Sequence, residues 1–360
     1  MPERIFNFSS GPATMPPAVL QEAAAGIINF KNSGIGLIEL SHRSKGFMAV
    51  AEEAETLIRE LMGIPNNYKV LFLQGGASTQ FFMVPMNLLQ TGQKATYLNT
   101  GVWAKKAIKE AKLFGQVETA YSSEDITYKR VPRDDEYIVA ADSQYLYFVT
   151  NNTIYGTQFP AMPDKDVLLA ADMSSDILSR PVDVTKFGLI FAGAQKNMGP
   201  AGVTVVIIRE DLLDRVGDKV PTMLKYKTHA ENGSMFNTPP CFSVYCVGLV
   251  MRWLKQAGGV TAIEKANREK AALLYEAIDN LALYRGHAER QSRSLMNVTF
   301  NLPSQEMEAQ FVREAGAIGL DGLKGHRSVG GCRASIYNAF PREGVEKLVS
   351  FMADFAKKNG

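Results

Sequence analysis

Residues 188–208 of the chain read GLIFAGAQKNMGPAGVTVVII. Two apolar runs, 188–193 and 203–208, flank a turn rich in glycine and proline, and Lys196 lies at its start. Such runs are typical of buried strands in an α/β sheet, whose functional sites lie at the strand ends. A lysine among apolar groups loses hydration of its ammonium, so its pKa falls and a nucleophilic amine becomes available for Schiff-base chemistry. The alternative is a solvated lysine just beyond a strand, as most lysines are.

Composition limits the classes of protein to which the chain could belong. Its 360 residues suffice for about two domains. A hydrophobic fraction of 46%, a charged fraction of 21% and a net charge of +2 are typical of a globular protein and disfavour a nucleic-acid partner. We expect no signal peptide and no membrane-spanning segment, because no apolar run is long enough, and we therefore expect a cytoplasmic location.

The cysteines and histidines show no metal-ligand or redox-pair spacing. Three cysteines, an odd number, suit a reducing compartment, and we expect buried thiols there. We expect no structural metal. The residues concerned are Cys241, Cys246, Cys332, His42, His229, His287 and His326.

Apolar strand candidates alternate with helical periodicity over the first two thirds of the chain, which predicts a mainly parallel sheet covered by helices. The strand candidates are 69–73, 95–98, 145–149, 167–171, 188–192 and 203–208, and the helical ones are 45–63, 81–89 and 104–114. After Gly258 and Gly259 the pattern changes to that of a smaller α+β domain. Its predicted helices are 261–281, 305–317 and one after Pro341, and its strands are 295–300 and 332–337.

We therefore divide the chain into three parts. Residues 16–258 form a large cofactor-binding domain, and residues 259–360 form the small C-terminal domain. Residues 1–15 form an N-terminal segment that we expect to pack with the small domain.

Asp172 follows the strand candidate 167–171, so a carboxylate and Lys196 lie at the same kind of strand end. Pyridoxal phosphate chemistry needs both groups: a lysine to hold the aldehyde, and a carboxylate to keep the pyridine nitrogen protonated. On spacing alone, an equally good interpretation is a loop aspartate that caps a turn through Ser174 and Ser175.

Further residues could complete such a site. The run Gly75-Gly76-Ala77-Ser78-Thr79 comes between a strand and a helix, where backbone amides would face a phosphate, although such runs are often only tight turns. Trp103 could stack on a flat ring, although a core tryptophan is commoner. The pairs His42-Arg43 and His326-Arg327, with Arg333, could grip carboxylate and phosphate groups, or they could be ordinary surface charge.

Together these residues resemble the phosphoserine aminotransferases, which belong to the class V group of fold-type I pyridoxal phosphate enzymes. The resemblance runs from end to end and is carried by six segments. These are Asn7–Ala13, Glu39–Lys45, Ala170–Ser175, Ala192–Gly202, Asn232–Pro240 and Lys324–Ser335.

The resemblance implies a large domain with a mainly parallel, seven-stranded sheet, and a homodimer with shared active sites. It implies one pyridoxal 5'-phosphate per subunit, bound as a Schiff base to Lys196, with Asp172 on the pyridine nitrogen. Other cofactor contacts would come from Ala77, Ser78, Trp103, Thr153 and Gln195, and from Asn237 and Thr238 of the neighbouring subunit. Some relatives carry Gly-Arg where this chain has Ala77-Ser78, so backbone amides and the Ser78 hydroxyl should carry more of the phosphate binding.

Substrate binding is implied for Ser10, His42, Arg43, His326, Arg327 and Arg333. Arg333 would take the α-carboxylate, and Arg43 with His42, His326 and Arg327 would take the distal anion. The implied reaction moves an amino group from L-glutamate to 3-phosphohydroxypyruvate in serine biosynthesis. Some relatives also convert 3-hydroxy-2-oxo-4-phosphonooxybutanoate in pyridoxine biosynthesis, and the resemblance leaves that activity open.

Three alternatives remain at this point. Another class V enzyme, such as an alanine-glyoxylate aminotransferase, would use the same cofactor residues. A cysteine desulfurase would need a mobile nucleophilic cysteine, and Cys332 lies in a predicted strand. A non-catalytic protein that binds a phosphorylated ligand through Gly75-Gly76 would leave Lys196 and Asp172 unexplained.

Overall fold

A computed structural model describes residues 4–217 and 219–360 of the chain. Its α-helices are α1 Pro17–Ile28, α2 Lys45–Met62, α3 Gly76–Leu88, α4 Val102–Ala111, α5 Tyr226–Glu231, α6 Cys241–Gln256, α7 Gly259–Asn280, α8 Gln305–Ala317 and α9 Arg342–Asn359. Its strands are β1 Phe6–Asn7, β2 Tyr68–Leu73, β3 Lys94–Asn99, β4 Gln116–Ser122, β5 Ser143–Val149, β6 Asn151–Asn152, β7 Thr157–Gln158, β8 Leu169–Asp172, β9 Phe187–Gly193, β10 Thr204–Arg209, β11 Arg285–Gly286, β12 Asn297–Asn301, β13 Leu320–Asp321 and β14 Cys332–Ser335.

The centre of the molecule is a seven-stranded sheet in the order β2-β10-β9-β8-β5-β3-β4. Strand β10 is antiparallel to both of its neighbours, and the other pairs are parallel. This arrangement confirms the predicted fold class. The parallel strands all end at one edge of the sheet, where loops can gather functional side chains.

The sheet is buried on both faces, which explains why its strands read as continuous apolar runs. Along β9, Ile190 and Ala192 face one core, which includes residues of α2 and α6. Leu189 and Phe191 face the other core, which includes residues of α3 and α4. A one-residue shift in the pairing register of a strand would therefore move its side chains from one core to the other.

The predicted elements are present, with shifts at their ends. Helix α2 matches the prediction and ends at Gly63, whose φ of 62° supplies a left-handed cap. Helix α3 begins at Gly76, five residues before the predicted start, because its first turn carries polar residues that do not fit the apolar pattern. The prediction missed β4, an edge strand whose residues are exposed or half-buried without a regular alternation.

The C-terminal part of the chain forms a three-stranded sheet, β11-β12-β14, with α7, α8 and α9. Strand β1 pairs in parallel with β13, and the buried Phe8 contributes to the core of this part. The domain boundary near residue 259 stays a prediction, although α7 begins at that glycine. None of the helices that the structure describes is long and apolar enough to cross a membrane.

Candidate active site

Lys196 lies in the turn that follows β9 and lines a cavity of about 250 Å³. The turn reverses the chain into the antiparallel β10, so the lysine is held between two buried strands. Gly202 closes the turn with a φ of 115°, and a Cβ there would lie 2.8 Å from the Ser243 hydroxyl. The Lys196 Nζ donates a hydrogen bond of 2.6 Å to the Thr153 Oγ1.

The charge state of Lys196 follows from its surroundings. Although the whole residue is only half-buried, protein atoms surround its amine, and this desolvation lowers its pKa to about 8. The carboxylate of Asp172 raises the pKa and Arg333 lowers it, and both effects are smaller than that of burial. A lysine with this pKa can act as a base or as an acid near neutral pH.

Asp172 is the last residue of β8, which lies beside β9 in the sheet. Its side chain lines the same cavity, and its Oδ1 accepts a hydrogen bond of 2.9 Å from the Ser174 backbone N–H. Burial raises the pKa of this carboxyl group, and the hydrogen bonds from Ser174 oppose that rise. The two predictions for Asp172 are thus compatible, because it forms the turn contact and also faces the cavity.

The start of α3 also contributes to the lining of the cavity. Gly76, Ala77 and Ser78 line it, together with Gln195 from the turn after β9. Gly76 has a φ of 68°, which favours glycine, and α3 spans 13 residues, so its first backbone amides present a partial positive charge. Glycine, alanine and serine leave room there for an anion.

Trp103, in the first turn of α4, forms a wall of the cavity. Its ring is tilted against Phe81, with the ring centroids 6.4 Å apart. Its buried indole Nε1 has no hydrogen-bond partner among the described residues. The indole therefore borders the cavity and is not enclosed in the core.

Arg333 connects the small sheet with the lysine. Its Nη1 donates to the Thr153 backbone oxygen at 3.4 Å, and its Nη2 donates to the Ser10 hydroxyl at 2.8 Å. The Tyr337 hydroxyl in turn donates to the Ser10 backbone oxygen at 2.7 Å. Since Thr153 also accepts from Lys196, the guanidinium and the amine share a partner. Burial lowers the pKa of Arg333, whose Nε has no partner among the described residues.

Arg333, Ser10 and the remaining predicted substrate and cofactor residues are not among those that line this cavity. His326 contacts Ser328, with 2.7 Å between Nδ1 and Oγ. Burial lowers the pKa of His326, and the charges of Arg333 and Arg327 lower it further. His42 contacts Thr238 of the same chain, with 3.2 Å between Nδ1 and Oγ1, and the His42 Nε2 is buried without a partner among the described residues. Of the residues beside this pair, Arg43 is exposed and Asn237 is half-buried.

The structure also brings together residues that sequence reasoning missed. Asp176 is buried, accepts hydrogen bonds from Thr150 and Gln158, and raises the pKa of Lys196. Asn151 lines the cavity and donates 2.8 Å hydrogen bonds to Ser175 and Asn297. The short spacing between Asp172 and Asp176 could have indicated that Asp176 also belongs to the site, whereas nothing in the sequence links Asn151 to Asn297.

The donor set fits pyridoxal phosphate. An amine of lowered pKa, a buried carboxylate, an indole wall and a helix N-terminus surround one cavity. These are the groups that would hold its aldehyde, ring nitrogen, ring face and phosphate. Within residues 4–217 and 219–360, no three His, Cys, Asp or Glu side chains are grouped to hold a metal ion.

Comparisons with known proteins agree with this geometry. The family model described as aminotransferase class-V matches residues 5–348. The chain is 66% identical to a phosphoserine aminotransferase from Desulfotalea psychrophila over 359 residues, which cover 100% of this chain and 99% of that protein.

Solved structures also resemble the chain. A phosphoserine aminotransferase from Bacillus circulans subsp. alkalophilus has a TM-score of 0.97 and 50% identity, with 99% of each chain covered. The PLP-bound phosphoserine aminotransferase from Trichomonas vaginalis has a TM-score of 0.93 and 40% identity, with 97% of this chain and 100% of that chain covered.

Proposed function

The chain belongs to the phosphoserine aminotransferases of the aminotransferase class-V family, and from this membership we infer the reaction and the roles of its residues. The enzyme depends on pyridoxal 5'-phosphate and exchanges an amino group between L-glutamate and 3-phosphohydroxypyruvate. The products are 2-oxoglutarate and O-phospho-L-serine, so the enzyme serves serine biosynthesis.

One observation carries the assignment of the site: Lys196 and Arg333 both contact Thr153. A guanidinium that holds an α-carboxylate there would place the substrate's α-carbon beside the lysine amine. Ser10 fixes the guanidinium from the other side, at 2.8 Å, so the carboxylate would be oriented before any proton moves.

Each residue then has a chemical role. Pyridoxal phosphate, when bound, supplies an electron sink next to the substrate's α-carbon. Lys196 accepts the α-proton at Nζ and can return it, since its pKa of about 8 lies near working pH. Asp172 would hold the proton on the ring nitrogen, and Ala77, Ser78 and Gln195 would hold the phosphate.

The two half-reactions can share one site because their substrates share a charge pattern. Glutamate and phosphoserine each carry an α-carboxylate and a distal anion. We assign the α-carboxylate to Arg333 and the distal group to the guanidinium groups of Arg327 and Arg43 with the imidazoles of His326 and His42. Burial lowers the pKa of His326, and the charges of Arg333 and Arg327 lower it further.

We further propose a homodimer in which Asn237 and Thr238 reach the cofactor phosphate of the neighbouring subunit. These residues do not line the cavity of their own chain, which leaves them free to serve the site of another. Exposed apolar side chains also flank the His42–Thr238 contact along the sequence, namely Ile35, Ile38, Met48 and Phe236. A dimer that buries these side chains together would gain apolar contact area. A cytoplasmic location is part of the same proposal.

The cysteine desulfurase alternative loses support at Cys332. This residue is 1% exposed, and burial raises the pKa of its thiol well above the usual range. A thiol in that environment stays protonated and cannot act as a mobile nucleophile.

An absorption titration tests the function. We expect the purified protein to be yellow and to lose that colour when O-phospho-L-serine is added, while L-alanine has little effect, because only the former has a distal anion. Lys196→Ala should lower turnover by at least about 10⁴-fold, since one residue provides both the cofactor attachment and the proton transfer, and it should leave the circular dichroism unchanged.

Two results would contradict this assignment. A stronger response to alanine would favour an alanine-glyoxylate type of enzyme. A colourless protein that cannot be reconstituted with pyridoxal phosphate would favour the non-catalytic alternative.

A further inference from the structure

Lys106 is a cation beside Trp103, which lines the cavity, and sequence reasoning assigned it no role. It lies one turn after Trp103 on α4, and its Nζ is 4.6 Å from the centroid of the Trp103 ring. Its side chain is exposed and makes no hydrogen bond or ion pair with any residue that the structure describes. The adjacent Lys105, by contrast, pairs with Glu124 at 2.5 Å.

The small-domain segment that carries His326 and Arg327 lies against the same end of α4. Val329 of that segment and Trp103 of α4 pack on one apolar cluster. Tyr128, Ile154 and Tyr155 form this cluster. The contact holds the His326 segment close to the first turns of α4, on which Lys106 is carried.

The electrostatic environment of His326 agrees with this placement. Burial is the main cause of the lowered pKa of His326, and the cations Arg333, Arg327 and Lys106 lower it further. No carboxylate is among the causes of this shift. Like charges held together in this way repel one another, and a bound anion would relieve the repulsion.

We propose that Lys106 is a substrate-binding residue that holds the distal anion together with His326 and Arg327, and that it favours a phosphate ester over a carboxylate. The proposal rests on the function inferred above and specifies how the site distinguishes its two substrates. A phosphate ester carries a charge of about −2 above pH 7, and a carboxylate carries −1. Because Coulomb energy is proportional to charge, removal of Lys106 should cost the phosphate ligand twice as much binding free energy as the carboxylate ligand.

Calorimetric binding of two unreactive ligands to the holoenzyme tests this proposal. 3-Phosphoglycerate and glutarate each carry a carboxylate and a distal anion, but neither has an amino or keto group to react. For Lys106→Met we expect binding about tenfold weaker for 3-phosphoglycerate and about threefold weaker for glutarate, as for a partly exposed charge pair. Lys106→Arg should restore both affinities to within about twofold of the original.

Lys109→Met is the matched control, because Lys109 is an exposed lysine on the same helix, one turn further on. We expect this variant to bind both ligands like the unmodified enzyme. Equal losses for the two ligands in Lys106→Met would overturn the proposal, since they would indicate a packing effect through Trp103. No loss, or the same loss in Lys109→Met, would also overturn it.

A failure of the inferred function can be distinguished from a failure of the role proposed for Lys106. In that case the unmodified holoenzyme would not transfer the amino group of O-phospho-L-serine at all, whatever stands at position 106. If the unmodified enzyme does transfer that group and Lys106→Met behaves like Lys109→Met, the function stands and the role of Lys106 does not.

Discussion

At the scale of single residues, the reactivity of Lys196 results from opposing effects. Burial lowers the pKa of its amine to about 8, the carboxylates of Asp172 and Asp176 raise it, and the guanidinium of Arg333 lowers it. Asp172 thus acts on the lysine in addition to its proposed role toward the cofactor, so a change at Asp172 should alter the lysine even in cofactor-free protein.

Asp172→Asn tests this coupling. The substitution removes a charge that raises the pKa of Lys196, so the amine should become neutral at a lower pH than in the original protein. We expect the rate at which formaldehyde and cyanoborohydride methylate Lys196 to be half-maximal near pH 8 in the original protein. At pH 7 the variant should react about two to five times faster.

Mass spectrometry of the Lys196 peptide, taken from cofactor-free protein across a pH series, gives these rates. The exposed Lys109 serves as the internal control in each digest. An unchanged or higher midpoint in Asp172→Asn would show that the carboxylate does not act on the amine.

At the scale of elements, a second buried lysine supports the strand that carries Arg333. Lys270 of α7 is 3% exposed and donates hydrogen bonds to the backbone oxygens of Ile336, Tyr337 and Phe340, at 3.1, 2.7 and 3.0 Å. These three residues follow β14, in which Arg333 lies. Lys270 thus holds the chain segment from which the Tyr337 hydroxyl reaches Ser10.

The stability of the protein should therefore depend on pH through Lys270. Burial lowers its pKa to about 7 in the folded state, whereas an unfolded lysine titrates near about 10.4. Between these values the unfolded chain binds the additional proton, so this group makes the free energy of unfolding rise with pH. From pH 7 to pH 9 the original protein should gain about 2 kcal/mol relative to Lys270→Met.

Urea denaturation of both proteins at the two pH values measures this difference, because all other groups contribute equally and cancel. Lys265→Met, at an exposed position of the same helix, is the matched control and should show the same pH dependence as the original protein. A pH dependence in Lys270→Met equal to that of the original protein would mean that Lys270 does not titrate in this range.

At the scale of the whole molecule, the predicted site residues fall into two groups. One group lies around Lys196 or, like His326 and Arg327, on the segment that approaches α4, and the other lies around the His42–Thr238 contact without lining that cavity. In the proposed dimer the second group completes the site of the neighbouring subunit, so each active site needs two chains.

Hybrid dimers test this arrangement. One subunit carries Lys196→Ala and the other carries Asn237→Ala with Thr238→Ala, so a hybrid contains one site in which all three residues are intact. Random pairing of equal amounts makes about half of the dimers hybrids, and the mixture should recover about a quarter of the original activity. Each variant alone should be much less active when pyridoxal phosphate is limiting.

Activity is to be measured after co-expression of the two variants. A mixture of the separately purified homodimers, kept under conditions without subunit exchange, is the control. If co-expression gives no more activity than this control, Asn237 and Thr238 act within their own subunit or not at all.

The sequence alone predicted the parts of the fold that depend on local patterns. Apolar runs separated by helical stretches are enough to predict a doubly covered sheet, since a strand buried on both faces has no polar alternation. Strand β4 was missed because it lies at the edge, where its side chains are partly exposed and leave no such pattern. Lys196, Asp172 and the Gly75-Gly76 turn were found because they directly follow or precede strands.

Tertiary structure alone decided the contacts between distant parts of the chain. Arg333 and Ser10 are 323 positions apart, and Asn151 and Asn297 are 146 apart, yet both pairs form hydrogen bonds at the site. The contact of Lys106 with Trp103 lies within α4, but the approach of the His326 segment to that helix depends on how Val329 and Trp103 pack on the Tyr128, Ile154 and Tyr155 cluster. Local patterns report which side chains are buried, whereas hydrogen bonds and charge clusters depend on positions in space that only the packed chain determines.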